Sequence, residues 1–280
     1  MRWLRLAGWV LGGLVVLLVA AFFLLQTPPG LRMIARLVSS SDLKVTGIGG
    51  FIPTSVEVER IELRDKEGVW LAVDDARVHW SFRSLFSGRV RIEYLNAARL
   101  EVLRPPLPTD EPPPVEEEVK KKFGVPVGVD LGQLVVDDLH VGPALGGVDS
   151  RWKLAGSGVL TADGTPSHMK LTMERTDGPA GRLTADLGFS LDRFSVDGTI
   201  LAEESSSGGV VAALIGRPDL ESMSLKVIAK GDRNQGVAEL VSGAGDAVSS
   251  NGSIRWHREN DATGISVQLS LVGPGLPDSA

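Results

Sequence analysis

The sequence predicts a mainly β protein behind an N-terminal membrane anchor, and three observations predict it. Residues 55–104, SVEVERIELRDKEGVWLAVDDARVHWSFRSLFSGRVRIEYLNAARLEVLR, place apolar side chains at every second position. The same alternation returns in segment after segment as far as Leu271. Residues 6–25, LAGWVLGGLVVLLVAAFFLL, hold no charge. Period two puts alternate side chains on opposite faces of a strand. An uncharged run of that length makes a helix of about 30 Å, the hydrocarbon thickness of a bilayer.

Composition narrows the class. The 280 residues suffice for one or two domains with a core. With 43% hydrophobic and 23% charged residues the chain is neither disordered nor a polytopic membrane protein. A net charge of −6 argues against nucleic acid, whose phosphates need a concentrated basic patch. The absence of cysteine excludes disulfides, thiolate metal sites, a cysteine nucleophile and a cysteine-linked lipid anchor.

The elements follow in order. Trp3 and Trp9 sit near one end of the apolar run, where interfacial aromatics are common. The run is longer than the apolar region of a signal peptide, and no small-x-small cleavage site follows it. Residues 1–26 therefore read as a cytoplasmic tail and an uncleaved anchor. Arg2 and Arg5 precede the run and Arg32 and Arg36 follow it, so the short tail staying inside is the simpler orientation. Pro28 and Pro29 open a helical pattern with Leu31, Ile34, Leu37 and Val38 on one side. This helix packs on the first strand or plugs an open end of the sheet.

A first strand over 43–48 stops at Gly49-Gly50, and the meander of 55–104 follows. Asp65-Lys66-Glu67-Gly68 is a tight turn. The alternation changes phase at Arg60 and at Asp74-Asp75, and residues 83–88 read as a short helical turn. Residues 105–122, PPLPTDEPPPVEEEVKKK, hold six prolines and opposed charge runs, so they form a solvated linker or insertion. Alternation resumes at Leu134 and Val136, then at 169–173, 183–191, 194–200, 223–227, 254–256 and 265–271. Residues 209–215 are a short helix candidate.

Roughly a dozen alternating segments have only short helices to cover them. The apolar face either packs as a sandwich or curls into a trough that holds something other than protein, such as acyl chains. Catalytic chemistry is missing from the pattern. His79, His140, His168 and His257 have no metal-ligand spacing and read as surface or edge residues. Ser41/Lys44, Ser150/Lys153 and Ser167/Lys170 lack the companion motifs of a serine acyl enzyme. Asp74-Asp75 and Asp137-Asp138 read as strand-end pairs pointing to opposite faces. Asn251-Gly252-Ser253 matches a sequon, but Asn-Gly is first a turn.

A family resemblance rests on motifs taken in order. GIGGFIP precedes a D-x-x-G-x-W-L turn (Asp65, Gly68, Trp70, Leu71), then Trp80, then the LFSG turn at 85–88. FGVPVGVDLGQLVVDDLHVG and RTDGPAGRLTADLGFSLDRFSVDGTILAEESSSGGVVAALIGRPD follow. Together they resemble the TamB family of AsmA-like bacterial envelope proteins. The resemblance implies an inner-membrane anchor and, in the periplasm, an elongated antiparallel β-sheet curled into a hydrophobic groove. It implies phospholipid in the groove on its way to the outer membrane. It also implies outer-membrane protein assembly and protein secretion with the outer-membrane barrel protein TamA, and neither catalytic residues nor a cofactor. The domains are then 1–26 tail and anchor, 27–104 groove start, 105–122 linker, and 123–280 continuing groove. Members are several times longer, so an N-terminal portion is expected. Val56, Val58, Ile61, Leu63, Leu71, Val73, Val78, Trp80, Val90, Ile92, Leu100 and Val102 are the expected groove lining. The alternative is a membrane-anchored β-sandwich that tethers partners and holds no lipid.

Overall fold

The computed structural model describes residues 39–51, 54–107, 127–162, 165–190, 192–205, 207–214, 222–245, 248–259 and 262–273, with 27, 29, 31, 33 and 35. The apolar run at 6–25 lies outside the described residues. Among the described residues no helix is long and apolar enough to cross a membrane.

Thirteen strands form one sheet in strict chain order. They are β1 (Leu43–Gly49), β2 (Ser55–Asp65), β3 (Gly68–Ser81), β4 (Arg89–Val102), β5 (Gly128–Val141), β6 (Ser150–Leu160) and β7 (Ser167–Arg175). Then come β8 (Gly181–Ser190), β9 (Ser195–Glu204), β10 (Met223–Gly231), β11 (Gln235–Ala244), β12 (Val248–Glu259) and β13 (Ala262–Val272). A 3-10 turn spans Phe82–Ser87, and two short helices, α1 (Pro143–Gly146) and α2 (Val210–Leu214), interrupt the meander. The sheet is open, with β1 and β13 as its edges. A single open sheet replaces the sandwich alternative.

The expectation of a wholly antiparallel sheet needs one correction. β4 and β5 are parallel, with Arg89 opposite Gly128 and Val102 opposite Val141. Parallel neighbours need a connection that returns to the starting end. β4 is 14 residues long, about 46 Å. The connecting residues 103–127 can span roughly 80 Å when extended, so the proline-rich stretch is the crossover within one sheet. Its root is pinned: Arg104 Nη1 donates to Asp65 Oδ2 at 2.7 Å, and the Leu107 N–H donates to the same oxygen at 3.0 Å.

Two further expectations are corrected, and both concern residue pairs that lie inside strands. Asp74-Asp75 and Asp137-Asp138 are mid-strand in β3 and β5. Asn251-Gly252 is in the middle of β12, paired with Val241 and Leu240. The expected turn at Asp65–Gly68 is present, with Gly68 at φ 106. β6 and β11 did not announce themselves in the sequence. On the apolar side β6 carries Gly156 and Gly158, and β11 carries Gly236 and Ser242, so neither shows an alternating hydrophobic signal.

Among the described residues the buried cluster is small. Ala97, Val136, Leu139 and Trp152 form it, and Val73, Leu100, Val102, Leu134, Val141, Leu154, Met173 and Val210 pack against it. Val210 belongs to α2, and Gly147, just past α1, lies against Ala213 of α2. The Trp152 indole N–H donates to the buried Ser150 hydroxyl at 3.0 Å. Nearer the N-terminus, Leu31 and Ala35 are buried and share a cavity wall with Ile48, Val58 and Ala76. At the far edge Ile265, Val267 and Leu269 remain 67%, 66% and 71% exposed, so nothing described covers β13.

Two stability predictions follow from this uneven cover. Leu139→Ala should lower the unfolding free energy by about 3 kcal/mol, and Leu269→Ala by less than about 1 kcal/mol. Urea unfolding of each variant measures the difference; equal losses would mean that the β13 face is covered. The Arg104 guanidinium, reinforced by the Leu107 and Glu67 N–H groups, holds the Asp65 carboxyl well below the usual aspartate range. Such a group stabilises the fold fully above an ordinary aspartate pKa near ~3.9 and loses its effect as pH falls toward the depressed value. Asp65→Asn should therefore leave the urea midpoint with a shallower decline below about pH 4, parallel to wild type above it.

Candidate functional site

The largest continuous chemical feature is one apolar face, and hydrogen-bond register defines it. In adjacent strands, directly opposed residues point to the same side. Leu63, Leu71, Val102 and Val141 make one row across β2–β5. Ile61, Val73, Leu100, Leu139 and Trp152 make the next across β2–β6. Val58 faces Ala76, and Val56, Val78, Leu95 and Leu134 form a further row. Trp80, Ile92 and Leu131 follow, then Val90, Val129 and Leu160.

These rows share a face only because the strands skip a residue together. From one apolar position to the next the step is three residues, not two, between Val45 and Ile48, Ile61 and Val58, Val73 and Ala76, Leu100 and Ala97, and Leu139 and Val136. The slips line up across β1–β5 and end where β5 meets β6 as a register shift between Val136 and Leu139. The backbone shows the slip directly in β1 and β3, where Gly47 and Asp75 have φ 66 and φ 50. A second slip crosses β4 and β5 at Ile92–Leu95 and Leu131–Leu134, bounded by shifts against β3 and β6. Leu100 with Ala97, and Leu139 with Val136, pack in one cluster although their parity differs.

The twelve residues expected to line a groove therefore all lie on this one face. All twelve are half-buried, as expected of a sheet surface shielded by its neighbours but not by a second layer. The face extends beyond those twelve residues. Past β6 it continues through Met169, Leu171 and Met173, then Leu183 to Phe189, and on to Ile265, Val267, Leu269 and Leu271. Those residues alternate too, and their alternation marks them as continuing groove in the sequence. The glycines between them could not have been found by hydrophobicity.

The opposite face is polar and carries cross-strand ion pairs along the slip line. Arg60 Nη1 is 2.6 Å from Asp74 Oδ1, Arg99 Nε is 3.1 Å from Asp138 Oδ2, and Arg151 Nη1 is 2.7 Å from the same Asp138 oxygen. Each histidine sits beside a carboxylate, not beside another histidine. His79 Nδ1 is 3.2 Å from Glu93 Oε2, close enough for ion pairing but without a hydrogen bond. His168 Nε2 is 2.7 Å from Asp186 Oδ1. Among the described residues no three His, Asp or Glu side chains gather to hold a metal.

α1 and α2 cover the apolar face along one margin of β5–β9. Glu204, 5% exposed, accepts from the Ala212 N–H at 3.4 Å, and Arg175 Nη1 donates to the Gly208 carbonyl at 3.3 Å. Near the other margin Trp256 lies flat across the sheet. Its indole N–H donates to the Asp232 carbonyl at 2.8 Å. A Cβ on Gly236 would fall 2.1 Å from Trp256 Cζ2, and one on Gly231 2.8 Å from it. Only glycine leaves room for the ring there.

An open, one-layer β-sheet with one polar and one uncovered apolar face defines a β-trough protein. Residues 17–150, just under half of the chain, match the family model described as TamB, N-terminal domain, and over that stretch the chain is similar to the N-terminal part of TamB. No curated protein and no solved structure matches the chain. TamB is part of a translocation and assembly module with TamA.

Gly236→Val should lift the Trp256 indole off the sheet. The emission of Trp256, taken as the difference between each protein and its Trp256→Phe counterpart, should then shift to longer wavelength. An unchanged spectrum would mean that the two glycines do not seat the ring.

Proposed function

We propose that the chain is an inner-membrane-anchored periplasmic trough whose apolar face holds phospholipid acyl chains on their way to the outer membrane, within the translocation and assembly module and its work in outer-membrane protein assembly. TamA is the proposed outer-membrane partner. The observation that carries the proposal is the apolar face that runs from β1 to β13 and that the described residues cover only locally. Twelve inter-strand spacings of about 4.8 Å extend it by roughly 58 Å, more than the hydrocarbon core of a bilayer. Each methylene taken out of water contributes about 0.8 kcal/mol, so acyl chains replace the missing second layer at no loss. The polar face keeps such a protein soluble in an aqueous compartment. The apolar run at 6–25 supplies the proposed anchor, with residues 27–35 leading from it to β1.

Phospholipid should copurify with the chain after mild detergent extraction and be detected by mass spectrometry. Ile92→Asp combined with Leu187→Asp should remove most of it while the β-sheet circular dichroism is retained. A clean protein without lipid would instead favour a tethering scaffold, and full lipid retention in the double variant would mean that the lipid does not sit on this face.

A further inference from the structure

The two margins of the trough, where the strands turn, are chemically unlike. One margin collects the turns β1–β2, β3–β4, β6–β7, β8–β9 and β10–β11, together with the end of β12. All four exposed phenylalanines among the described residues lie in its turns: Phe51, Phe82, Phe86 and Phe194. Trp256 lies flat just inside it, against an open cavity of about 760 Å³ that also touches Ile265. Arginines accompany the rings. Arg83 lies in the 3-10 turn and Arg89 follows it, Arg193 precedes Phe194, and Arg258 follows Trp256 on the apolar face. The Arg233 guanidinium stands 5.9 Å over the Phe194 ring. Among the described residues the acids in these turns and at the end of β12 are Asp192, Asp232 and Glu259, and Asp232 already accepts the N–H groups of Asn234 and Gln235.

The opposite margin has no aromatic residue in its described turns, and its acids are matched locally: Asp65 pairs with Arg104, Asp177 with Arg175 and Asp149 with His140, Glu67 follows Lys66, and Glu204 accepts from the Ala212 N–H. It is also the margin that α1 and α2 cover. Rings and arginines along the edge of an apolar surface are the side-chain chemistry of a membrane–water interface.

We infer that phospholipids lie in the trough with their phosphate headgroups at the aromatic–arginine margin and their acyl chains running along the strands toward the α1–α2 margin. This rests on the lipid-holding role proposed above and adds an orientation to it. The dimensions agree: from Gly231 to Met223, β10 offers about 26 Å of strand, and one leaflet of acyl chain needs about 15 Å.

Brominated phosphatidylglycerol reads the orientation. The lipid carries bromine either beside the glycerol ester or near the acyl methyl end, and is bound to the full chain and to its Trp256→Phe variant. The difference between the two proteins isolates the Trp256 signal, and quenching should be stronger from the ester-side bromine. Equal or stronger quenching from the methyl end overturns the inference. Adsorption to intact vesicles without lipid entering the chain assigns the margin to a bilayer surface and overturns it too. If no phosphatidylglycerol binds in any form, the lipid-holding role itself has failed, and the orientation falls with it. Arg193→Glu and Arg233→Glu should each lower phosphatidylglycerol retention about fivefold, whereas Lys66→Glu on the far margin should leave it unchanged. Equal losses from both margins contradict the assignment.

Discussion

A strand has two faces, and the whole molecule depends on keeping one of them apolar. Five strands, β1–β5, carry an extra residue at the same row, so the parity of each changes there. Were only one strand to slip, its apolar residues beyond that point would turn to water and its charges into the trough. The slips run together, and the surplus is absorbed once, as a bulge where β5 meets β6. The Arg60–Asp74 and Arg99–Asp138 pairs lie along this line on the polar face. They tie neighbouring strands at the row where the pleat is irregular, although exposed pairs of this kind contribute little each.

The same constraint explains what the molecule lacks. A sandwich would bury the apolar side against a second sheet, and few large side chains here are fully buried. Leu31, Val136, Leu139 and Trp152 are the large apolar ones among the described residues, and the other buried apolar residues are alanines. Cohesion comes from the hydrogen-bond ladder and from side chains shielding their neighbours in the sheet. Cover is local: residues 31 and 35 at β1–β2, and α1 with α2 over β5–β9. Cover diminishes toward β13, where apolar side chains are most exposed. A ligand that supplies methylene groups is the natural complement to such a gradient.

Much of this was legible in the sequence, and the failures have physical causes. Alternation marks β2, β3, β4, β8 and β9 because their apolar positions hold large side chains. It fails for β6 and β11, where Gly156, Gly158 and Gly236 occupy apolar positions and have no side chain to signal burial. Asp74-Asp75 and Asp137-Asp138 look like strand ends because paired acids are rare within strands. They mark phase slips instead, and a slip can be interpreted only when the partner strand's slip is known. The parallel β4–β5 pair was hidden for a similar reason. Sequence shows that residues 105–122 break the pattern but not to which end of the sheet the chain returns. The asymmetry of the two margins required the full strand order, since Phe51, Phe82 and Phe194 are far apart in sequence.

The central claim is that one face of every strand meets lipid and the other meets water. Photo-crosslinking along a single strand tests this most directly. A benzophenone amino acid placed in turn at residues 196, 197, 199, 200 and 201 of β9, in cells or with phospholipid vesicles, should form lipid adducts at Val196 and Ile200. It should form none at Asp197, Thr199 and Leu201. Adducts of equal yield at successive positions, or at none, would contradict the account.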